Sequence, residues 1–203
     1  MTEALLTAFI TFFTVIDPIG TIPVFIAVTS SVDKADRKKI ALKAALVAAG
    51  VLLFFIALGE LILNAIKIPL PTFQIAGGIV LFLFALTMIF GESKPDEELS
   101  HIKKKDDKAI FPLAMPSLAS PGAILAAILL TENSKYAIED QLMTAVMMLI
   151  VIAIALVLML LSTRIFKYIG TSGAAIISRV MGLILSAVAV ANVLDGFKIY
   201  FKL

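Results

Sequence analysis

The sequence predicts an all-α membrane protein of six transmembrane helices, built as two inverted three-helix repeats with helices 1 and 4 broken at mid-membrane. Three observations predict it. The 203 residues are 61% apolar and 16% charged, with a mean hydropathy of +1.06. A soluble domain runs nearer about 45–50% apolar and has too little interior to hide the excess. Six apolar segments each reach about the 20 residues that a helix needs to cross hydrocarbon. Two proline-containing interruptions and two glycine-containing segments recur at almost one spacing.

The six segments run over 4–29, 40–63, 71–90, 110–131, 140–162 and 173–195. They are continuous and about twice the length of a barrel strand, so helices are expected. The first thirty residues lack a basic leading region and run through Asp17-Pro18 without a cleavage site. They are therefore read as the first span. One transmembrane domain is expected, with repeat 1 over 1–95, repeat 2 over 105–203 and a cytoplasmic linker over about 91–109.

Lysine and arginine orient the spans. Loops 1–2, 3–4 and 5–6, with their flanks, hold thirteen basic residues, among them Arg37, Lys43, Lys94, the Lys103-Lys104-Lys105 run, Lys108, Arg164 and Arg179. The opposite face holds four: Lys67, Lys135, Lys198 and Lys202. The expectation is a multi-pass protein of the prokaryotic plasma (inner) membrane, with both termini outside and the basic loops cytoplasmic. Acidic neighbours Glu97, Glu98, Asp106 and Asp107 interleave the lysine run. No nucleic-acid partner is expected, and membrane lipid is.

Composition removes several chemistries. There is no cysteine and a single histidine, His101, which excludes thiolate sites, disulfides and multi-histidine metal centres. No Gly-x-Ser-x-Gly, Walker loop or His-Glu-x-x-His occurs. An enzyme is not expected, nor any metal or cofactor beyond a coupling ion, H⁺ or Na⁺.

The repeat rests on two landmarks. Asp17-Pro18-Ile19-Gly20 in span one and Ser120-Pro121-Gly122 in span four are 103 residues apart. Gln74-Ile75-Ala76-Gly77-Gly78 in span three and Arg179-Val180-Met181-Gly182 in span six are 105 apart. Three spans reverse the chain's direction, so the halves are inverted, an architecture suited to alternating access.

Proline removes a backbone donor and pushes its predecessor off helical angles. Pro18, Gly20 and Pro23 should interrupt span one, and Pro112, Pro116, Pro121 and Gly122 should interrupt span four more severely. Asp17-Pro18 and Ser120-Pro121 each read as an N-cap followed by proline at the first helical position. Each would open a half-helix whose free amides face mid-membrane, where a carboxylate suits them. An acid at that depth costs at least about 3 kcal/mol and marks function by default. Asp17 is either a cap alone or a cap that also binds an ion or substrate. Glu60 is a second ion-coupling candidate, with an interfacial role as the alternative. Asn192 and Thr87, at equivalent repeat positions, are candidates for lining a cavity. Gly77-Gly78 reads as a close helix contact.

The segments FFTVIDPIGTIPVF, FQIAGGIVLFLFAL, PLAMPSLASPGAI and RVMGLILSAVAVANVLDG resemble the MarC family of integral membrane proteins over nearly the whole chain. The resemblance implies a relation to transporters of small neutral amino acids such as glycine and alanine, driven by an ion gradient. It implies a substrate site at Asp17, Pro18, Ile19 and Gly20 with Ser120, Pro121 and Gly122. The transport reading extends that site to Thr21 and Ala123 and expects hydrogen bonds from Thr21, Ser120 and Asn192. The sequence departs from the family pattern near Thr87, where an acidic residue is frequent, and near Ala191-Asn192, where a glutamine is common. The expected function is a secondary transporter. The alternatives are a metabolite or drug exporter of the same fold and a non-transporting scaffold, and a homo-oligomer is left open.

Overall fold

The computed structural model describes residues 2–30, 32–90 and 109–202, and every regular element within them is helical. The linker through residue 108, with Lys94, His101, the lysine run and Lys108, lies outside the described residues. The first span is α1 (Thr2–Ile16) and α2 (Thr21–Thr29), followed by α3 (Lys34–Ala65) and α4 (Leu70–Phe90). The fourth is α5 (Ala109–Leu118) with α6 (Pro121–Leu129). Then come α7 (Ile138–Gly170) and α8 (Ser172–Phe201). Five helices, counting Glu3–Thr29 as one, are long and apolar enough to cross a membrane. The pair α5–α6, bent by 53°, makes a sixth span if it is taken as one.

Burial follows an apolar solvent. Leu6, Leu46, Leu61, Ile138, Leu142, Leu183 and Leu194 are all more than half exposed, an apolar surface that water would not tolerate and lipid does. The interior is built on small residues. Ala41, Ala44, Ala45, Ala48 and Leu52 form a helical stripe buried along α3. Met148, Val151, Ile152, Ala155 and Met159 form its counterpart on α7. Both stripes have the spacing of one helix face.

The antiparallel helices α4 and α8 touch through glycines. A methyl group on Gly78 would stand 3.0 Å from the Ala189 carbonyl oxygen, and one on Gly182 would stand 2.9 Å from that of Ala85. Each contact maps onto the other when α4 residues advance by 104, a shift that carries Gly78 to Gly182 and Ala85 to Ala189. Gly77 instead faces Leu125 of α6. Such close approach is what small residues provide where no water drives helices together.

Between spans five and six the sequence suggests a polar connection over about 163–172. The helix instead runs on to Gly170, where φ of 62° turns the chain. Only glycine enters that region freely.

Candidate functional site

The two interruptions are packed against one another. Span one stops being helical at Asp17, whose φ is 49°, a conformation that aspartate tolerates because its short side chain bonds locally. The Asp17 amide donates to the Phe13 carbonyl (3.2 Å), ending α1. The Asp17 carbonyl accepts from the Thr21 amide (3.0 Å), and its Oδ1 accepts from the Gly20 amide (2.9 Å). The carboxylate thus caps the turn 18–20, and regular helix resumes at Thr21 behind Gly20. The expected simple arrangement, an extended aspartate with proline opening the helix, is corrected. The pre-proline restriction drives Asp17 out of right-handed angles, and it goes left-handed instead of extended.

The second interruption follows the expected form. Ser120 is extended (φ −67°, ψ 159°), Pro121 begins α6, and Ser120 Oγ accepts from the Ala123 amide at 3.0 Å. Upstream, Phe111 and Met115 precede Pro112 and Pro116 and are extended (φ −124°, ψ 130° and φ −132°, ψ 131°), as pre-proline residues prefer. The chain recovers through a wide turn in which the Ala119 amide donates to the Ala114 carbonyl (2.8 Å).

Two hydrogen bonds join the breaks. The Ser120 hydroxyl donates to the Val15 carbonyl in the last turn of α1 (2.7 Å). The Thr21 and Ser117 hydroxyls share a bond of 3.1 Å, while Thr21 also bonds the Asp17 carbonyl (3.0 Å). Asp17, Thr21 and Ser120 are all buried, as are Pro18, Gly20, Gly122 and Ala123; Ile19 and Pro121 are half-buried. The amides of Gly20, Thr21, Ile22, Ala123 and Ile124 are satisfied within their own turns. Those of Ile19 and Gly122, again 103 residues apart, have no hydrogen-bond partner among the described residues. The Leu81 side chain lies over Gly122, 2.7 Å from where a methyl group would sit.

The structure therefore brings together Asp17, Ile19, Gly20, Thr21, Ser120, Gly122 and Ala123. It does not bring in two other candidates. Glu60 Oε2 accepts from the Asn133 amide (2.7 Å) in the α6–α7 loop, and Asn192 Nδ2 donates to Val188 on its own helix (3.1 Å). Thr87 likewise bonds its own helix at Phe84 (2.7 Å). Ser117, Leu81 and the Val15 carbonyl were not anticipated. Ser117 sits in the proline-rich run, which is a faint signal. A main-chain carbonyl carries none, and Leu81 reads as one more apolar residue.

These features define a polytopic integral membrane protein in which two discontinuous helices meet inside an apolar bundle. The chain belongs to the MarC family of integral membrane proteins, which it matches over residues 2–201. It is 35% identical over 194 residues to a UPF0056 membrane protein of Methanocaldococcus jannaschii, covering 94% of both chains. It is 33% identical over 199 residues to one from Aquifex aeolicus, covering 96% of this chain and 92% of that one. It is 32% identical over 195 residues to the UPF0056 membrane protein YvbG of Bacillus subtilis, covering 94% and 92%. No solved structure matches it.

Proposed function

We propose that this protein is a secondary transporter of small neutral amino acids, of the glycine and alanine type, working by alternating access and coupled to H⁺ or Na⁺. One observation carries the reading: two capped half-helix starts are joined by a hydrogen bond, each with one amide unpaired among the described residues, at Ile19 and Gly122. Helix starts favour anions, and a substrate carboxylate is the anion such a pair would hold. Asp17 supplies the opposite charge for the substrate ammonium or the coupling cation, and Thr21 and Ser120 supply hydroxyls. Asn192 would join only by releasing Val188. Glu60 is occupied at the loop, which leaves Asp17 as the coupling group. Asp17 crowds Gly20 and Leu81 crowds Gly122, and such crowding supports a small substrate.

The halves are read as inverted repeats. In support, the two caps are equivalent, Asp17 to Gly20 and Ser120 to Ala123, and the Gly78 and Gly182 contacts are reciprocal. Two such halves can exchange conformations about the centre. The basic-loop bias supports an inner-membrane protein with outside termini, and relatives occur in bacteria and archaea.

The test is uptake of labelled glycine and alanine into proteoliposomes under proton or Na⁺ gradients, for wild type and Asp17→Asn. Gradient-driven uptake that the folded variant loses is the expected result. A folded wild type that moves neither amino acid in either orientation, under either gradient, would sink the proposal.

A further inference from the structure

Three of the four lysines on the face opposite the basic loops line one cavity of about 680 Å³. It lies where the α6–α7 loop meets the end of α8 and the second turn of α4. Lys135 is already paired with Glu132 at 2.7 Å. Lys198 and Lys202 have no ion-pair partner among the described residues. Lys198 lies in the last turn of α8, and Lys202 follows the helix as its left-handed C-cap (φ 55°). Asp195, one turn before Lys198 and also on the cavity wall, is likewise outside ion-pairing distance of any cation described.

A second, independent observation lies in the wall. Gln74 is only 7% exposed and lines the cavity, yet its amide has no hydrogen-bond partner among the described residues. The amide is open to the cavity rather than sealed off from it, so a ligand there can pair with it. Both charge signs stand without an ion-pair partner among the described residues around one cavity, beside the donor–acceptor amide of Gln74 and the half-buried Tyr136. That set complements a solute bearing both an anionic and a cationic end.

We propose that this cavity is a loading site for small zwitterions: the carboxylate lies on Lys198, Lys202 and the Gln74 amide, and the ammonium at Asp195. Its role at the mouth of a pathway rests on the transport reading, but its chemistry does not. The site concentrates substrate at the membrane surface before it reaches the buried breaks.

The experiment measures equilibrium binding of labelled glycine to the full chain in phosphatidylcholine nanodiscs. Wild type is compared with the double variant Lys198→Gln/Lys202→Gln and, separately, Gln74→Leu. Both lysines are exposed and have no side-chain partner to lose, so the double variant keeps its fold. The expected Kd rises about tenfold or more in the double variant, which removes both charged hydrogen-bond donors from the carboxylate. Alanine should displace glycine better than acetate or methylamine does. In proteoliposomes the KM for uptake from this face should rise with kcat unchanged. An unchanged Kd in both variants overturns the proposal, and so does a folded wild type that binds no glycine. Displacement of glycine by inorganic phosphate, or by phosphatidylglycerol in the nanodisc, better than by alanine also overturns it and assigns a phosphate site instead. Lysine-sensitive binding without any uptake would remove the transport reading and leave this site standing. Gradient-driven uptake untouched by all three substitutions would do the reverse.

Discussion

The break in span one and the break in span four make the same cap with different atoms. Asp17 and Ser120 each place a side-chain oxygen on the amide three residues ahead, at 2.9 and 3.0 Å. Beyond that they part. The Ser120 hydroxyl both accepts and donates, and its proton goes across to the Val15 carbonyl. A carboxylate only accepts, so Asp17 makes no such clasp. It has a second oxygen instead, and that oxygen fills the room that a side chain at position 20 would need. The equivalent position in the other break is Ala123, which carries the methyl group without conflict. If capping were the whole task, serine would serve at both places. The difference marks the second break as a structural clasp, and it fits the proposed reading of the first as a held charge.

The comparison breaks most visibly at Gly20. A Cβ there collides with Asp17 Oδ2 and stands 2.6 Å from its Cγ, so Gly20→Ala must evict the carboxylate from its cap. The expected cost is about 2–3 kcal/mol, overpacking plus the lost cap, read as a fall in thermal stability in detergent. Asp17→Ser/Gly20→Ala rebuilds the second break's chemistry in the first and should recover most of that loss without restoring uptake. Strict additivity of the two single substitutions would show that the residues do not share the space.

Ser120→Ala comes next, at about 2 kcal/mol. It removes an N-cap and strands the buried Val15 carbonyl and Ala123 amide. Asp17→Asn sits at the other end of the scale for stability, at about 0.5 kcal/mol or less, because asparagine caps as well as aspartate. Its effect on uptake should be the larger of the two. If Asp17→Asn destabilises as much as Ser120→Ala and uptake tracks folding in both, the distinction between clasp and charge fails.

Much of this was legible in the sequence. The apolar segments match the helices to within a few residues at most ends, because length and hydropathy decide what a bilayer accepts. Ser120-Pro121 was legible in its local cap, since an N-cap followed by proline has one good local solution, but not in its bond to the Val15 carbonyl. Asp17-Pro18 was legible as a break but not in its geometry, because left-handed and extended angles both satisfy the proline and only packing selects between them. Thr21 was a candidate, but its partner Ser117, 96 residues away, was not. Glu60 and Asn192 were named for their polarity, and polarity alone does not say which backbone group a side chain will find.

The far ends of the two half-helices extend the comparison with smaller effects. Both are tied by α3. Arg37 donates to the Val32 and Ser30 carbonyls after α2 (2.8 and 3.2 Å), and Glu60 accepts from Asn133 after α6. Arg37→Ala should cost about 1 kcal/mol, whereas Glu60→Gln, which keeps an acceptor, should cost a few tenths at most. The loop after α6 adds a weak pH dependence through Glu132. Burial alone would raise its carboxyl, but the hydrogen bonds from Lys135 and Ser134 and the Lys135 charge outweigh it and hold it below its ordinary value of 4.5. A carboxyl depressed by folding stabilises above its unfolded value, and that contribution is lost as pH falls through the folded value. Wild type should therefore lose more melting temperature than Glu132→Gln between about pH 5 and pH 3. The difference should be small, because the pair is partly solvated and surface pairs are worth little. Parallel melting profiles for the two proteins would mean that Lys135 is not held by Glu132 and is as free as Lys198 and Lys202.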